Sequence, residues 1–290
     1  MQANDTLQRF IFEQAPIRGE IVRLDATWRA VLARRDYPPA VRDLLGEMAA
    51  AAMLLSATLK FTGSLIMQIQ GNGTVPLLVV ECTSNRTLRA IAHWAEDVRA
   101  APLAEMMGNG RLLITINPTE GTERYQGIVE LEGNSVAEVL ENYLTRSEQL
   151  DTRLWLASNA TQVAGMLLQR LPGEQDDEDA WPRAVHLGST ITQTELLRLP
   201  APEIIHRLYH EEDIRMFDGE PVSFRCSCSR ERVIDMLRML GREEVQSILH
   251  EQGTVKMDCE FCGQHYELDL IDAELIFASA IAPEASSTHH

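Results

Sequence analysis

FRCSCSRERVIDMLRMLGREEVQSILHEQGTVKMDCEFCGQHYELDL, residues 224–270, divides the chain. It holds four of the five cysteines, arranged as Cys226-Ser-Cys228, a gap of 30 residues, and Cys259-Glu-Phe-Cys262. Zinc takes four tetrahedral ligands and favours thiolate, at about 2.3 Å. A C-x-x-C on a tight hairpin turn aims two sulfurs at one point, and Gly263 eases that turn. A C-x-C in an extended segment supplies two more. Within the gap, ERVIDMLRMLG and REEVQSILHEQG read as two short helices, each ended by glycine. TVKMD and QHYELDL bracket the second cysteine pair as a hairpin. Either pair alone is a weak signal, but two pairs around a compact unit are a strong zinc signal. Residues 226–290 are therefore expected to form a small zinc module, with Cys226, Cys228, Cys259 and Cys262 holding one zinc ion per chain.

Four thiolates close the coordination sphere, so the usual activation of water or substrate by the metal is not expected. A deaminase needs an H-x-E partner for P-C-x-x-C, and the sequence has neither. Thioredoxin-like chemistry needs C-x-x-C at the mouth of a βα unit, whereas QHYELDL reads as a strand. A closed site is often only structural. Two features favour a switch instead. C-x-C sets two thiolates unusually close, so each pair can be joined locally by oxidation, although a C-x-C disulfide is strained. The module is also small, and a domain of that size draws much of its folding free energy from its metal, about 10–16 kcal/mol in zinc-finger peptides. Oxidising the ligands removes that contribution at once. His265, three residues past Cys262, is a possible competing ligand, but the four cysteines suffice. His206 and His210, spaced i,i+4, read as a solvated helix face.

Working towards the N-terminus, residues 173–225 read as a partly helical, metastable linker. It opens on an acidic run, with five acidic residues among the six from Glu174 to Asp179, and is broken by Pro182, Pro200 and Pro202. It has too few apolar residues for a core of its own and must lie on something else or remain loose. Residues 1–172 read as a mixed core domain. GEIVRLDATWRAVLAR begins as a strand and continues as a helix, and PAVRDLLGEMAAAAMLLSATL is strongly helical. FTGSLIMQIQ and TVPLLVVECTS form two strands around Gly-Asn-Gly, and RTLRAIAHW adds a third. RLLITIN pairs with RYQGIVELEG, and TRLWLASNA with TQVAGMLLQRLP close the core as strands. SVAEVLENYLTRSEQL is a helix with Ser135 as N-cap and Glu138 three residues on. The fold class is α+β: a core with an antiparallel sheet and packed helices, a helical linker and a C-terminal zinc module. Cys82, in LLVVECTS, reads as a small buried hydrophobe.

Composition narrows the function. The chain carries 26 Lys+Arg against 43 Asp+Glu, a formal charge of -17. Residues 226–290 alone hold 5 basic against 12 acidic side chains. Nucleic acid and anionic membrane are repelled by such a field. A structural zinc ribbon on a nucleic-acid or ribosome-associated protein therefore remains only as an alternative, as does a dithiol oxidoreductase using Cys259 and Cys262. No secretory signal pattern opens the sequence, and its longest apolar stretch, near Ala49 to Leu59, is about half a bilayer span. Few cysteines in a long chain point to a reducing compartment, so a cytoplasmic location is expected.

FRCSCSRERV, LGREEV and CEFCGQHYELD resemble the redox switch of the 33 kDa chaperonin family, the oxidation-activated heat-shock holdases. IRGEIVRLDATW, YLTRSEQLDTRLWLA and GMLLQRLP carry the resemblance along most of the chain. The resemblance implies a chaperone rather than an enzyme. The reduced, zinc-bound form is an inactive monomer. Oxidation makes two disulfides, Cys226–Cys228 and Cys259–Cys262, and releases zinc. The zinc module and linker then unfold, a homodimer forms, and unfolding client proteins are held without ATP. The lack of a P-loop pattern agrees with the last point, and a high negative charge keeps such a protein soluble while apolar surface is exposed.

Overall fold

A single helix, buried and apolar on every side from Met48 to Leu55, organises the first part of the chain. The computed structural model describes residues 5–119, 123–173 and 177–278; His289 and His290 lie outside them. Two compact units are resolved, Met1–Arg225 and Cys226–His290. The first begins with β1 (Thr6–Phe12), β2 (Ile17–Leu24), α1 (Ala26–Leu32) and α2 (Pro39–Thr58). There follow β3 (Gly63–Gln70), β4 (Leu77–Thr83), β5 (Thr87–His93), α3 (Leu103–Met107), β6 (Arg111–Pro118), β7 (Tyr125–Glu130), α4 (Val136–Arg146), β8 (Thr152–Ser158) and β9 (Val163–Arg170). The unit ends with α5 (Ala180–Gly188), α6 (Gln193–Arg198), α7 (Ala201–Tyr209), β10 (Ile214–Met216), β11 (Glu220–Pro221) and β12 (Ser223–Phe224).

Two six-stranded sheets result, not one. The first runs β10-β1-β2-β9-β8, with β11 also on β1; the second runs β12-β5-β4-β3-β6-β7. Pairing is antiparallel except where β12 joins β5 in parallel. Helix α2 lies between the sheets, against β2, β8 and β9 on one side and β3, β4 and β5 on the other. That position explains its composition. A helix covered on both sides is hydrophobic all round, and Met48 to Leu54 are fully buried without a break. Close approach requires Gly46, since a Cβ there would stand 2.0 Å from Ser158 Oγ. Pro39 occupies the first turn, where its missing N–H costs nothing.

The expected strand pairs form in register, including β3 with β4 and β6 with β7. Ser135 caps α4 by accepting from Glu138 N. The returning arm differs from the expected capping box: Glu138 Oε2 accepts from Asn134 N at 2.7 Å, one residue upstream. Strand β1 has no counterpart in the sequence reading. It is buried on both faces, Leu7 in the α2 core and Phe10 and Phe12 in a second core.

That second core is built by the stretch expected to be a linker. Ala184, Leu196, Ile204, Ile205, Leu208 and Tyr209 pack with Phe10, Ile21, Met166 and Leu168 on the outer face of the first sheet. Tyr209 donates to Ala184 O at 3.1 Å and meets Phe12 edge-on at 5.2 Å. The stretch thus borrows its core from the sheet. Of its acidic run, residues 174–176 lie outside the described residues; Asp177 and Asp179 both pair with Arg183. His206 and His210 are exposed. Among the described residues no helix is long and apolar enough to cross a membrane.

Candidate metal centre

The second unit contains α8 (Arg230–Leu240), α9 (Arg242–Gln252), β13 (Val255–Asp258), β14 (His265–Leu268) and α10 (Leu270–Ala278). Gly241 and Gly253 end α8 and α9 with φ of 97° and 78°, backbone that disfavours other residues. Strands β13 and β14 pair antiparallel, from Val255 opposite Leu268 to Asp258 opposite His265. Among the described residues the unit's core is eight buried side chains: Val233, Leu237, Val245, Leu249, Val255, Leu268, Ala273 and Ile276. Helix α10 had no sequence expectation. Its Asp272 and Glu274 pair with Arg230 and Arg242 at 2.6 and 2.9 Å.

Cys259 and Cys262 sit on the turn that closes the hairpin. Cys259 N donates to Gln264 O at 2.9 Å, and Gly263 N donates to Cys259 O at 2.7 Å. Gly263 has φ of 70°, and no atom lies within 4 Å of where its Cβ would be. Its requirement is therefore one of backbone shape rather than space. Cys226 and Cys228 lie just ahead of α8, whose N-cap Ser229 accepts from Arg232 N. The same Arg232 donates from Nη1 to Ser227 Oγ at 2.7 Å, so one side chain braces the short loop between the two cysteines.

These elements bring the four sulfurs within 4.8 Å of one another. Two of the separations run across the motifs: Cys226 to Cys259 is 3.6 Å and Cys228 to Cys262 is 3.3 Å. A tetrahedron of Zn–S bonds places its sulfurs roughly 3.8 Å apart. Geometry and donor type both fit one soft, tetrahedral cation. The electrostatics fit it too. Burial first, and then the neighbouring sulfurs, push the Cys262 thiol up to about 12; burial raises Cys259 as well. Four thiolates this close repel one another unless a cation lies between them, and a bound divalent cation reverses that balance.

His265 is not part of the cluster. Its Nδ1 is 2.7 Å from Asp258 Oδ1. Tyr266, which the sequence reading passed over, hydrogen-bonds to Cys228, and this bond is the main reason its hydroxyl rises to about 12. It stands opposite Met257 in the hairpin, and nothing in the sequence marks its reach to a sulfur. Cys82 lies far from this chemistry in sequence and is fully buried on β4, with its thiol pushed up by desolvation.

Comparison with known proteins gives one answer. The family model described as Hsp33 protein matches residues 5–269. The 33 kDa chaperonin of Nitrosococcus oceani is 51% identical over 290 residues, covering 100% of both chains. That of Chromobacterium violaceum is 50% identical over 292 residues, covering 100% of this chain and 99% of the other. Among solved structures, the 33 kDa chaperonin of Thermotoga maritima superposes with a TM-score of 0.78 at 19% identity, over 96% of this chain and 99% of that one. The last likeness carries the fold alone; the first three carry descent. With its four-cysteine cluster and whole-length match, the chain belongs to the Hsp33 family of heat-shock chaperones.

Proposed function

We propose that this chain is a redox-regulated holdase whose switch is one zinc ion held by Cys226, Cys228, Cys259 and Cys262. The observation that carries the reading is the convergence of four sulfurs within 4.8 Å in a unit with an eight-residue core. When bound, zinc supplies structural cross-linking of the C-x-C loop, the hairpin turn and the helices between them. Cys226 and Cys228 hold one side of the site, Cys259 and Cys262 the other. Tyr266 donates towards Cys228, and Arg232 keeps the C-x-C loop in shape.

Oxidation converts the cysteines in pairs. Two thiols and one hypochlorous acid give one disulfide, chloride, a proton and water. The pairing Cys226–Cys228 and Cys259–Cys262 rests on the family resemblance. It is favoured by chain connectivity once the unit loosens, because the partners stay two and three positions apart in sequence while the cross-motif pairs separate. The domain reading assigns residues 1–172 to a core, 173–225 to a metastable linker and 226–290 to the switch. Loss of the metal removes the main stabiliser of the switch, and β12 ends two residues before Cys226, so disorder in the switch begins at the end of the linker. Apolar surface that the linker covers, the Phe10–Met166 face, then becomes available to unfolding clients and to a second copy of the chain. The oxidised form is a dimer and the reduced form a monomer. No nucleotide is consumed, nucleic acid and membrane are not partners, and the site of action is the cytoplasm.

The test couples two readouts. Reduced, zinc-loaded protein is treated with hypochlorite, zinc is followed with a chromogenic chelator, and suppression of client aggregation is assayed before and after. Loss of about one zinc per chain together with the onset of suppression supports the switch. Zinc loss without suppression makes the site structural and ends the holdase reading for this chain.

A further inference from the structure

We infer that Met236, Met239 and Met257 form a thioether oxidation site, a second target in the switch unit for oxidants that transfer an oxygen atom. The chain has 11 methionines. Six of them, Met48, Met53, Met67, Met106, Met107 and Met166, are at most 4% exposed in the first unit. Met239 is 82% exposed and Met236 44%. Both lie on α8, and with Met257 of β13 they line one open groove of about 590 Å³, together with Leu240, Ile248 and Val255. Met216 of the first unit is half-buried like Met257, but among the described residues the two exposed thioethers both lie on one face of the unit that carries the cysteines.

The three differ in consequence. Met239 and Met236 reach solvent, and a sulfoxide there stays hydrated. Met257 is half-buried and packs against the eight-residue core. It lies two residues from Val255, hence on the same face of β13, and Val255 is buried in that core. Oxidation converts the flexible apolar thioether into a polar sulfoxide: hypochlorous acid gives up one oxygen to the sulfur and leaves as chloride and a proton. The new oxygen is an acceptor at the edge of an apolar cluster, where an unpaired polar group is destabilising. Strand β13 runs directly into Asp258 and Cys259, whose N–H anchors the turn on Gln264 O. Loosening β13 therefore loosens the turn that presents Cys259 and Cys262. Unlike a disulfide, the sulfoxide needs no second sulfur and no deprotonation, so this input works on thioethers while the thiolates are still ligated. The oxidation site stands on the exposure of Met236 and Met239 and on the groove they share with Met257; only its effect on metal retention rests on the zinc reading.

The experiment treats the full-length, zinc-loaded protein with graded hypochlorite and maps oxygen gain by peptide mass spectrometry. Amide exchange in β13 and the reduced-thiol content are read on the same samples. Expected is oxygen on Met239, Met236 and Met257 before any of the six buried methionines. At doses where all four switch cysteines are still reduced, exchange in β13 should rise about tenfold and return to its starting value after treatment with methionine sulfoxide reductase. A Met236→Leu, Met239→Leu, Met257→Leu variant, which conserves volume, should hold its zinc to higher oxidant doses than wild type. Oxidation of the buried methionines at equal rates overturns the site. Sulfoxide on Met257 with unchanged β13 exchange overturns its effect on the unit. Equal zinc retention by the variant, with the reductase-reversible exchange intact, overturns only the link to the metal. The reductase arm needs no substitution, so failure of the variant to fold leaves the first two outcomes decisive.

Discussion

Arg86 donates from Nε to Glu220 Oε2 at 2.7 Å, joining the turn between β4 and β5 to strand β11, 134 residues further along the chain. Arg86 stands at φ 57°, an uncommon backbone for a residue with a Cβ. From there its Nη1 also donates to Ser56 O at 3.1 Å, near the end of α2. One guanidinium thus clips the segment that leads to the cysteines onto the central helix and the second sheet. Arg9 supports the same carboxylate at 2.8 Å.

Arg86→Ala leaves a carbonyl and a mostly covered carboxylate short of a donor. It should destabilise the first unit by about 1–3 kcal/mol. Urea unfolding followed by tryptophan fluorescence checks this, because Trp28, Trp94, Trp155 and Trp181 all lie in residues 1–225. Unchanged stability would mean that the clip is made as well by water.

The same neighbourhood sets a pH dependence. Glu20 is buried, its Oε2 has no hydrogen-bond partner, and burial pushes its carboxyl up to about 7 against the opposing pull of Arg18, Arg86 and Arg9. A carboxyl whose folded pKa is raised binds more protons in the folded state, so its stabilising share is complete below its ordinary value and is lost as pH rises towards 7. Glu20→Gln should match wild type at acid pH and gain on it steadily between about 4.5 and about 7. Glu47, lifted to about 7 chiefly by burial on α2, should behave alike. Denaturation across that range with a constant difference between variant and wild type would refute the burial argument.

Much of this was open to reading in the sequence, and what was not has a physical cause. The cysteine spacing, the glycines ending α8 and α9, and Ser135 before α4 are local signals, each answering to a backbone need within a few residues. Strand β1 was missed because TLQRFIF lies between two cores. Leu7 faces one and Phe10 the other, which blurs the polar alternation of a half-exposed strand. The second sheet edge formed by β12 and the packing of the α5–α7 layer on Phe10 and Ile21 depend on contacts with residues more than a hundred positions away, and a window on the chain cannot see them. In the candidate metal centre the convergence of the four cysteines was legible from spacing. Tyr266 and Arg232 were not, because nothing marks a tyrosine or an arginine as aimed at a sulfur or a serine until the chain is folded.

Gly263→Ala tests the turn. Space is open around its Cβ, so the cost is the backbone alone, about 1–2 kcal/mol for a residue forced to positive φ. Metal affinity should fall by about tenfold, while Gly263→Asn, which tolerates that region, should retain most of it. Competition with a chelator of known affinity measures both. Equal loss in the two variants would show that glycine serves some need other than φ.

The disulfide pairing can be decided against the geometry. In the folded unit Cys226 lies 3.6 Å from Cys259 and Cys228 lies 3.3 Å from Cys262, both across the motifs. A bond across the motifs, between those partners, needs the fold to persist while it forms. A bond formed after the unit loosens joins near neighbours in sequence, as the holdase reading requires. Peptide mapping of hypochlorite-treated protein should therefore find Cys226–Cys228 and Cys259–Cys262. Cys226→Ser should weaken metal binding and loosen the second unit even in reductant, since three thiolates no longer close the site. Cys82→Ala should cost the first unit about 1–2 kcal/mol of packing and leave both disulfides unchanged. Recovery of Cys226–Cys259 as the main product would place oxidation before unfolding and reverse the order of events on which the switch depends.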